Sequence, residues 1–251
     1  PLLDILVALA PSPVELPAVK AKTPKGEIDL NYEDAGPLAA YVWKTTADPF
    51  VGRQTYFKVY SGVVSSDTRV WNASKNEEER LAGVQVPFGK DMLPVSVIHS
   101  GDIGAVAKLS VTTTGDTLTS KEQNITLPVP TYPHALYRVA INPKTQSDAA
   151  KMSQTLTRMT EEDMTLTWEM QAATHQTLLF GMGDQHIDVA LKRMEQKFQL
   201  NLVTLEPKVP YEEHITREGA ATYRHKKQTG GSGQFGEVSL KVFPIEGEDF
   251  T

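Results

Sequence analysis

The sequence predicts a multidomain α+β chain: a β-barrel, then a ferredoxin-like βαββαβ domain, then a third segment with strand patterns. Three observations carry that expectation. Residues 38–127 hold short β-prone runs at close spacing with no helical period, the pattern of a closed barrel. From residue 137 the apolar period switches between alternation and helical spacing in the order β-α-β-β-α-β, the split motif, within about 75 residues. Proline clusters at 128–133 and 207–210 separate these segments, since proline is excluded from helix interiors and central strands.

Taken in order, Pro1-Leu2-Leu3-Asp4-Ile5-Leu6-Val7-Ala8-Leu9 is apolar enough for a buried helix and lacks an initiating Met, while Gly247-Glu248-Asp249-Phe250-Thr251 breaks off just after a strand pattern. Together these ends predict a piece of a longer chain. Residues 11–37 hold Pro11, Pro13, Pro17, Pro24 and Pro37, which predicts an extended linker. The barrel runs are 39–43, 54–60, 68–71, 93–98 and 105–109, punctuated by Ser61-Gly62, Ser66-Asp67, Ser100-Gly101-Asp102 and Thr114-Gly115-Asp116, all turn formers. The charged stretch 75–80 reads as a solvated loop.

In the second domain Tyr137, Val139 and Ile141 alternate as a strand. From Asp148 onward Met152, Leu156 and Met159 fall at helical spacing behind an N-cap, followed by the charged exit Glu161-Glu162-Asp163, read as solvated. Leu166, Trp168 and Met170 alternate, residues 177–180 make another strand, and a helix at 184–198 buries Ile187, Leu191, Met194 and Phe198 before a last strand at 200–205. In the third segment 211–216 and 237–242 read as strands, flanking Arg224-His225-Lys226-Lys227-Gln228-Thr229-Gly230-Gly231-Ser232-Gly233-Gln234-Phe235-Gly236.

Composition narrows the function. At 251 residues, 40% hydrophobic and 22% charged, the chain exceeds one typical domain. No run approaches the ~20 apolar residues of a membrane span, and no signal peptide pattern opens the chain, so a soluble, cytoplasmic protein without a membrane partner is expected. Cysteine is absent, so thiolate metal sites and disulfides are excluded. A net charge of -6 argues against a surface that coats nucleic acid throughout. Any RNA contact must be local, and within 217–227 four basic residues, Arg217, Arg224, Lys226 and Lys227, face one acid, Glu218, for a local charge of +3.

Gly231-Ser232-Gly233-Gln234-Phe235-Gly236-Glu237-Val238 matches both the dinucleotide fingerprint and the kinase glycine loop, in which glycine admits backbone amides close to phosphate. The alternation Val238, Leu240, Val242 that follows is a strand and not the helix a pyrophosphate needs. Neither the His-Arg-Asp nor the Asp-Phe-Gly of a kinase occurs. Two readings remain: a flexible hairpin without a partner, or an RNA probe in which the lysines attract phosphate and Gln234 bonds base or ribose. Residues 83–90 resemble a Walker loop, but the glycines are one residue too far apart and Asp91 stands where Ser or Thr should hold magnesium. His99, His134, His175, His186, His214 and His225 are scattered with no pair at i, i+4, so no metal site and no catalytic residue is expected.

These strings resemble one family. Pro1-Leu2-Leu3-Asp4 with Pro11-Ser12-Pro13 is similar to the end of the GTPase domain of bacterial elongation factor G and its exit linker. Gly36-Pro37-Leu38-Ala39-Ala40, Asp48-Pro49-Phe50-Val51-Gly52-Arg53 and Val59-Tyr60-Ser61-Gly62 resemble the opening of its second domain, a barrel also found in elongation factor Tu. Gly101-Asp102-Ile103-Gly104-Ala105-Val106 and Thr114-Gly115-Asp116-Thr117-Leu118 resemble later barrel turns. Ile141-Asn142-Pro143-Lys144, the helix ending in Glu161-Glu162-Asp163, and Gly181-Met182-Gly183-Asp184-Gln185-His186 resemble the third domain, and Pro207-Lys208-Val209-Pro210-Tyr211-Glu212 with 228–236 resembles the start and first tip loop of the fourth. The resemblance implies a GTPase-domain remnant at 1–10, a linker at 11–35, a barrel at 36–127, a ferredoxin-like domain at 134–206 and an incomplete ribosomal protein S5 domain 2-like α+β domain at 207–251.

It further implies a ribosome-binding part of a translational GTPase that promotes tRNA–mRNA translocation. Its partners would be small-subunit ribosomal RNA and protein, the decoding centre with its tRNA–mRNA, and its own GTPase domain. GTP and magnesium would belong to the full-length parent, and this stretch would carry neither cofactor nor enzyme activity. The RNA-binding residues implied at the tip are Lys226, Lys227, Gln228, Gly230, Gly231, Ser232, Gly233, Gln234 and Phe235. Two departures, residues 85–95 in place of a His-rich acidic helical stretch and Asp184-Gln185 in place of Glu-Leu, point to the alternative of a diverged paralogue acting in ribosome recycling or protection.

Overall fold

The computed structural model describes residues 1–48, 52–211, 213–228, 230–231 and 233–244. Pro49, Phe50 and Val51 of the barrel motif, Glu212, Thr229, the tip residue Ser232 and the terminal string 247–251 lie outside the described residues. Two compact units divide the chain, residues 1–208 and 209–251. No helix among the described residues is long and apolar enough to cross a membrane.

The first unit opens with α1 (Leu2–Leu9), whose leucines, isoleucine and valine are all exposed. The stretch expected to be an extended linker instead carries a hairpin, β1 (Val19–Thr23) and β2 (Gly26–Leu30), paired antiparallel with Thr23 opposite Gly26. Its prolines stay clear of the ladder: Pro17 precedes it and Pro24 sits in the turn, where a fixed φ is an advantage. Ala21 and Leu30 are buried in a cluster with Ala39, Tyr41, Ile125 and Leu127, and Lys22 exchanges both backbone bonds with Thr126. This burial fixes the hairpin to the barrel.

The barrel comprises β3 (Ala39–Asp48), β4 (Gly52–Ser61), β5 (Val64–Ser65), β6 (Arg69–Asn72), β7 (Glu77–Arg80), β8 (Gln85–Phe88), β9 (Asp91–Pro94), β10 (Val97–Ile98), β11 (Ile103–Ala107) and β12 (Thr117–Thr119). Eight strands pair in the order β7-β6-β12-β3-β4-β11-β8-β9, with β5 and β10 as a separate pair. Inward residues at every second position, including Phe57 and Val59 on β4, join Val64, Val70, Leu81, Ile98, Val106 and Leu118 in one core, as the period-2 pleat requires. Gly104 is set by packing: a Cβ there would lie 2.7 Å from the Phe57 ring. In the segment 75–80, read as a solvated loop, residues 75–76 are a turn but Glu77–Arg80 form strand β7, which buries Glu79 while its neighbours face solvent.

The second domain is β13 (Tyr137–Pro143), α2 (Gln146–Glu162), β14 (Thr167–Gln171), β15 (Gln176–Gly181), α3 (Asp184–Phe198) and β16 (Leu202–Leu205). Its sheet runs β14-β15-β13-β16, antiparallel throughout, the ferredoxin-like order of a split βαββαβ motif. Helix α2 starts at Gln146 because the Thr145 hydroxyl accepts from the Asp148 amide and donates to the Asp148 carboxylate, a side-chain N-cap. Both helices lay a stripe on the sheet, with Leu156, Met159, Ile187, Ala190 and Met194 buried against Ile141, Leu166 and Leu179. Leu191 and Phe198 flank this stripe half-buried. The described residues of the second unit form a hairpin, β17 (Gly219–Lys227) and β18 (Gln234–Val242).

Candidate functional site

The expected strand at 211–216 is absent from its described residues, and the first strand of this unit runs later, over Gly219–Lys227. The β-branched and aromatic residues that suggested the earlier strand lie in an irregular segment. Arg224, His225, Lys226 and Lys227 therefore stand on strand β17 and not in the loop, while Arg217 precedes it. Its register with β18 sets Lys227 opposite Gln234, Lys226 opposite Phe235 and Arg224 opposite Glu237.

Alternation then separates the two lysines. Lys227 shares a face with His225, Tyr223 and Ala221 and, across the ladder, with Gln234, Gly236, Val238 and Leu240. Lys226 shares the other face with Arg224, Thr222 and, across the ladder, Phe235, Glu237 and Ser239. Each face thus pairs one lysine with one neighbour able to contact a base: Gln234 by hydrogen bonds on one side, Phe235 by stacking on the other. Phe235 is 68% exposed, so its ring is free to stack.

Charge at the site is narrower than the composition implied. Arg224 donates to Glu237 at 2.7 Å and Lys241 pairs with Glu218. Thr222 and Ser239 share a hydroxyl bond across the same face at 2.9 Å. Neither Lys226 nor Lys227 has an ion-pair partner among the described residues, so the positive potential concentrates at the loop end of the hairpin.

The tip itself spans Gln228 to Gly233. Gly230 and Gly231 have φ of 60° and 95°, the left-handed region where a side chain is costly. At Gly233 a Cβ would come within 3.2 Å of the Lys227 carbonyl. Glycine at these three places lets the loop turn tightly and bring its backbone amides near a ligand. Since Gln234–Val242 continues as a strand, no helix N-terminus follows the glycines, and the loop does not fit a dinucleotide pyrophosphate. Among the described residues no three His, Asp or Glu side chains converge on a metal position.

A second constellation escaped the sequence reading. Glu161-Glu162-Asp163, expected to be a solvated helix exit, is a half-buried bonding cluster. Glu161 pairs with Arg53 of the barrel, and Glu162 accepts from the Ala47 amide of the barrel and from Lys197 of α3. Asp163 accepts from the Thr165 amide and hydroxyl and lies 3.0 Å from His186 Nε2. His186 Nδ1 accepts the Met182 amide at 3.0 Å, which assigns its other nitrogen as the donor to Asp163. Burial pushes the Asp163 carboxyl up, but the bonds from Thr165 and His186 outweigh it and hold the group below its ordinary value. The signal available in sequence was an acidic run at a helix C-terminus, where the backbone dipole disfavours it.

Comparison with known proteins gives three matches in chain order. Residues 37–121 match the family model for elongation factor G domain 2, residues 132–206 that for domain III, and residues 207–251 that for domain IV. The crystal structure of a protein from Thermus thermophilus superposes with a TM-score of 0.71 at 31% identity, over 98% of this chain and 35% of that one. The chain thus spans about a third of that relative's length. With a barrel, a ferredoxin-like domain and a glycine-tipped hairpin in the order those three models require, the chain belongs to the elongation factor G family.

Proposed function

We propose that this chain is the ribosome-binding part of a translational GTPase that promotes tRNA–mRNA translocation. The observation that carries the reading is the hairpin tip: two lysines on opposite faces with no ion-pair partner among the described residues, each beside a residue able to contact a base, at the end of a strand pair in the domain IV segment. The partners are small-subunit ribosomal RNA and protein and the tRNA–mRNA of the decoding centre, met in the cytoplasm. GTP and magnesium belong to a GTPase domain of the full-length parent, because the glycine loop here lacks the helix that would hold phosphate.

A second reading, a paralogue acting in recycling or ribosome protection, is favoured by one feature. Residues 85–95 build β8 and β9 with Phe88 at the turn, 71% exposed, so this member offers a different barrel surface from the family pattern.

The test uses the full-length factor with Lys226 and Lys227 changed together to Ala and Gln234 changed separately to Ala. Loss of the lysines should lower the slope of log ribosome affinity against log salt by about 1 per phosphate contact. Gln234→Ala should slow single-round translocation with little change in that slope. Unchanged affinity and translocation in both variants would leave the hairpin without an RNA role. The 251-residue chain itself should show no saturable binding of GTP or ATP, and micromolar binding of either would refute the cofactor assignment.

A further inference from the structure

The acidic end of α2 breaks a local rule. Its last turn holds Glu161 and Glu162 and no basic residue, the wrong charge sign for the negative end of a helix dipole. A local conflict of this kind persists where something outside the helix compensates. Here the compensation comes largely from the barrel. Successive helical residues point about 100° apart, so Glu161 reaches Arg53 on β4, while Glu162 receives the Ala47 amide of β3 and the Lys197 ammonium of α3. Arg53 in turn donates to the Ser110 carbonyl at 2.9 Å, extending the connection into the barrel loop beyond β11.

What surrounds these bonds matters as much. The apolar cores of the barrel and of the ferredoxin-like domain are separate clusters, and none described bridges the two. Between them lies an open cleft of about 450 Å³, with Ala47, Arg53 and Leu109 on one wall and Gln154, Arg158 and Glu161 on the other. Among the described residues the junction is thus held by charge-assisted bonds, with the Thr114 hydroxyl also donating to the Glu161 carbonyl at 3.5 Å, and not by a shared apolar cluster; charge-assisted bonds are short and directional. Residues 128–136 connect the domains without helix or strand.

We propose that Glu161 and Glu162 form an interdomain latch. Closed, it holds the barrel and the ferredoxin-like domain at a single angle; open, it frees them to turn about residues 128–136. The latch is a property of this chain's own contacts and does not depend on what the hairpin tip binds.

The test exploits the absence of cysteine. Lys75→Cys and Lys192→Cys, both exposed and on different domains, take spin labels in the 251-residue chain, and electron–electron resonance reads their distance distribution. The parent should give one narrow peak. Glu161→Ala with Glu162→Ala should broaden it or add a second peak, and Glu195→Gln, an exposed carboxylate on α3 outside the latch, should leave it narrow. Should the alanine pair lose amide protection in β4 or β15, Glu161→Gln with Glu162→Gln is read in its place and should broaden the peak with protection retained. An unchanged distribution in the folded latch variant, or equal broadening by Glu195→Gln, would overturn the proposal.

Discussion

A carboxylate inside a barrel is stable only if donors replace the water it loses. Glu79 is 6% exposed, and it accepts from the amides of Ser110, Val111 and Thr112 and from the hydroxyls of Ser110 and Thr112. Asn72 ties the same loop from the other side, donating to Thr112 and Asp116 at 3.0 Å each. Burial alone would raise the Glu79 carboxyl, but the bonds from Thr112, Val111 and Ser110 prevail and hold it below its ordinary 4.5. A depressed group gives stability that is complete above its unfolded value and is lost as pH falls through its folded value. Acid unfolding of the barrel should thus steepen below pH 4.5, and Glu79→Gln should flatten that limb when thermal midpoints are followed from pH 7 to pH 3. Glu79→Ala should cost about 3 kcal/mol at neutral pH by stranding buried amides. A Gln variant with the parent's acid limb would remove Glu79 from this role. None of this was legible in Glu77-Glu78-Glu79-Arg80, because alternation sets Glu77 and Glu79 on one face and only Glu79 is buried, a difference made by the distant donors of residues 110–112 and not by the strand's own pattern.

At the scale of the element, regular helices were the most legible part. The bounds of α3, Asp184–Phe198, follow from a sustained period of 3.6, and its buried stripe was read in part: Ile187 and Met194 are buried, the central place shifts from Leu191 to Ala190, and both Leu191 and Phe198 are half-buried. The shift lowers the cost expected for Leu191→Ala below the about 2–5 kcal/mol of a fully buried leucine, and moves that expectation to Met194, which is 0% exposed. Met194→Ala should destabilise the domain by about 2–5 kcal/mol. His186→Ala should cost about 1–2 kcal/mol through the bonds to Met182 and Asp163. Urea unfolding of both variants checks the order, and a larger loss in His186→Ala would mean that the turn and not the apolar stripe anchors α3. Short strands were harder. The β1–β2 hairpin was hidden by prolines that flank its ladder; Pro87 obscured β8, and the single run expected at 93–98 is divided between the edge strand β9 (Asp91–Pro94), which tolerates Pro94, and β10 (Val97–Ile98).

Across the whole molecule the sequence told more about kinds of domain than about what joins them. Domain order was legible because each domain has its own period, whereas the latch residues come from β3, β4, α2 and α3 and no spacing rule connects them. Contrast in burial between the two units yields a last prediction. The barrel amides of Phe57 and Val59 sit among residues that are 0% exposed, and every residue of Gln234–Val242 is exposed, including Val238 at 56% and Leu240 at 64%. An isolated two-stranded hairpin is marginal in water, and local opening free energies range from near zero up to the global value. Native-state hydrogen exchange on the 251-residue chain should therefore find the amides of Phe57, Val59 and Val106 exchanging last. Those of Gly219–Lys227 and Gln234–Val242 should exchange at least about a hundredfold faster, equivalent to about 2.7 kcal/mol at 1.36 kcal/mol per tenfold. Equal protection of Tyr223 or Val238 and Phe57 would mean that the apolar face of the hairpin is covered in solution, and the lysines at its tip would then be held by a framework far stiffer than a lone strand pair.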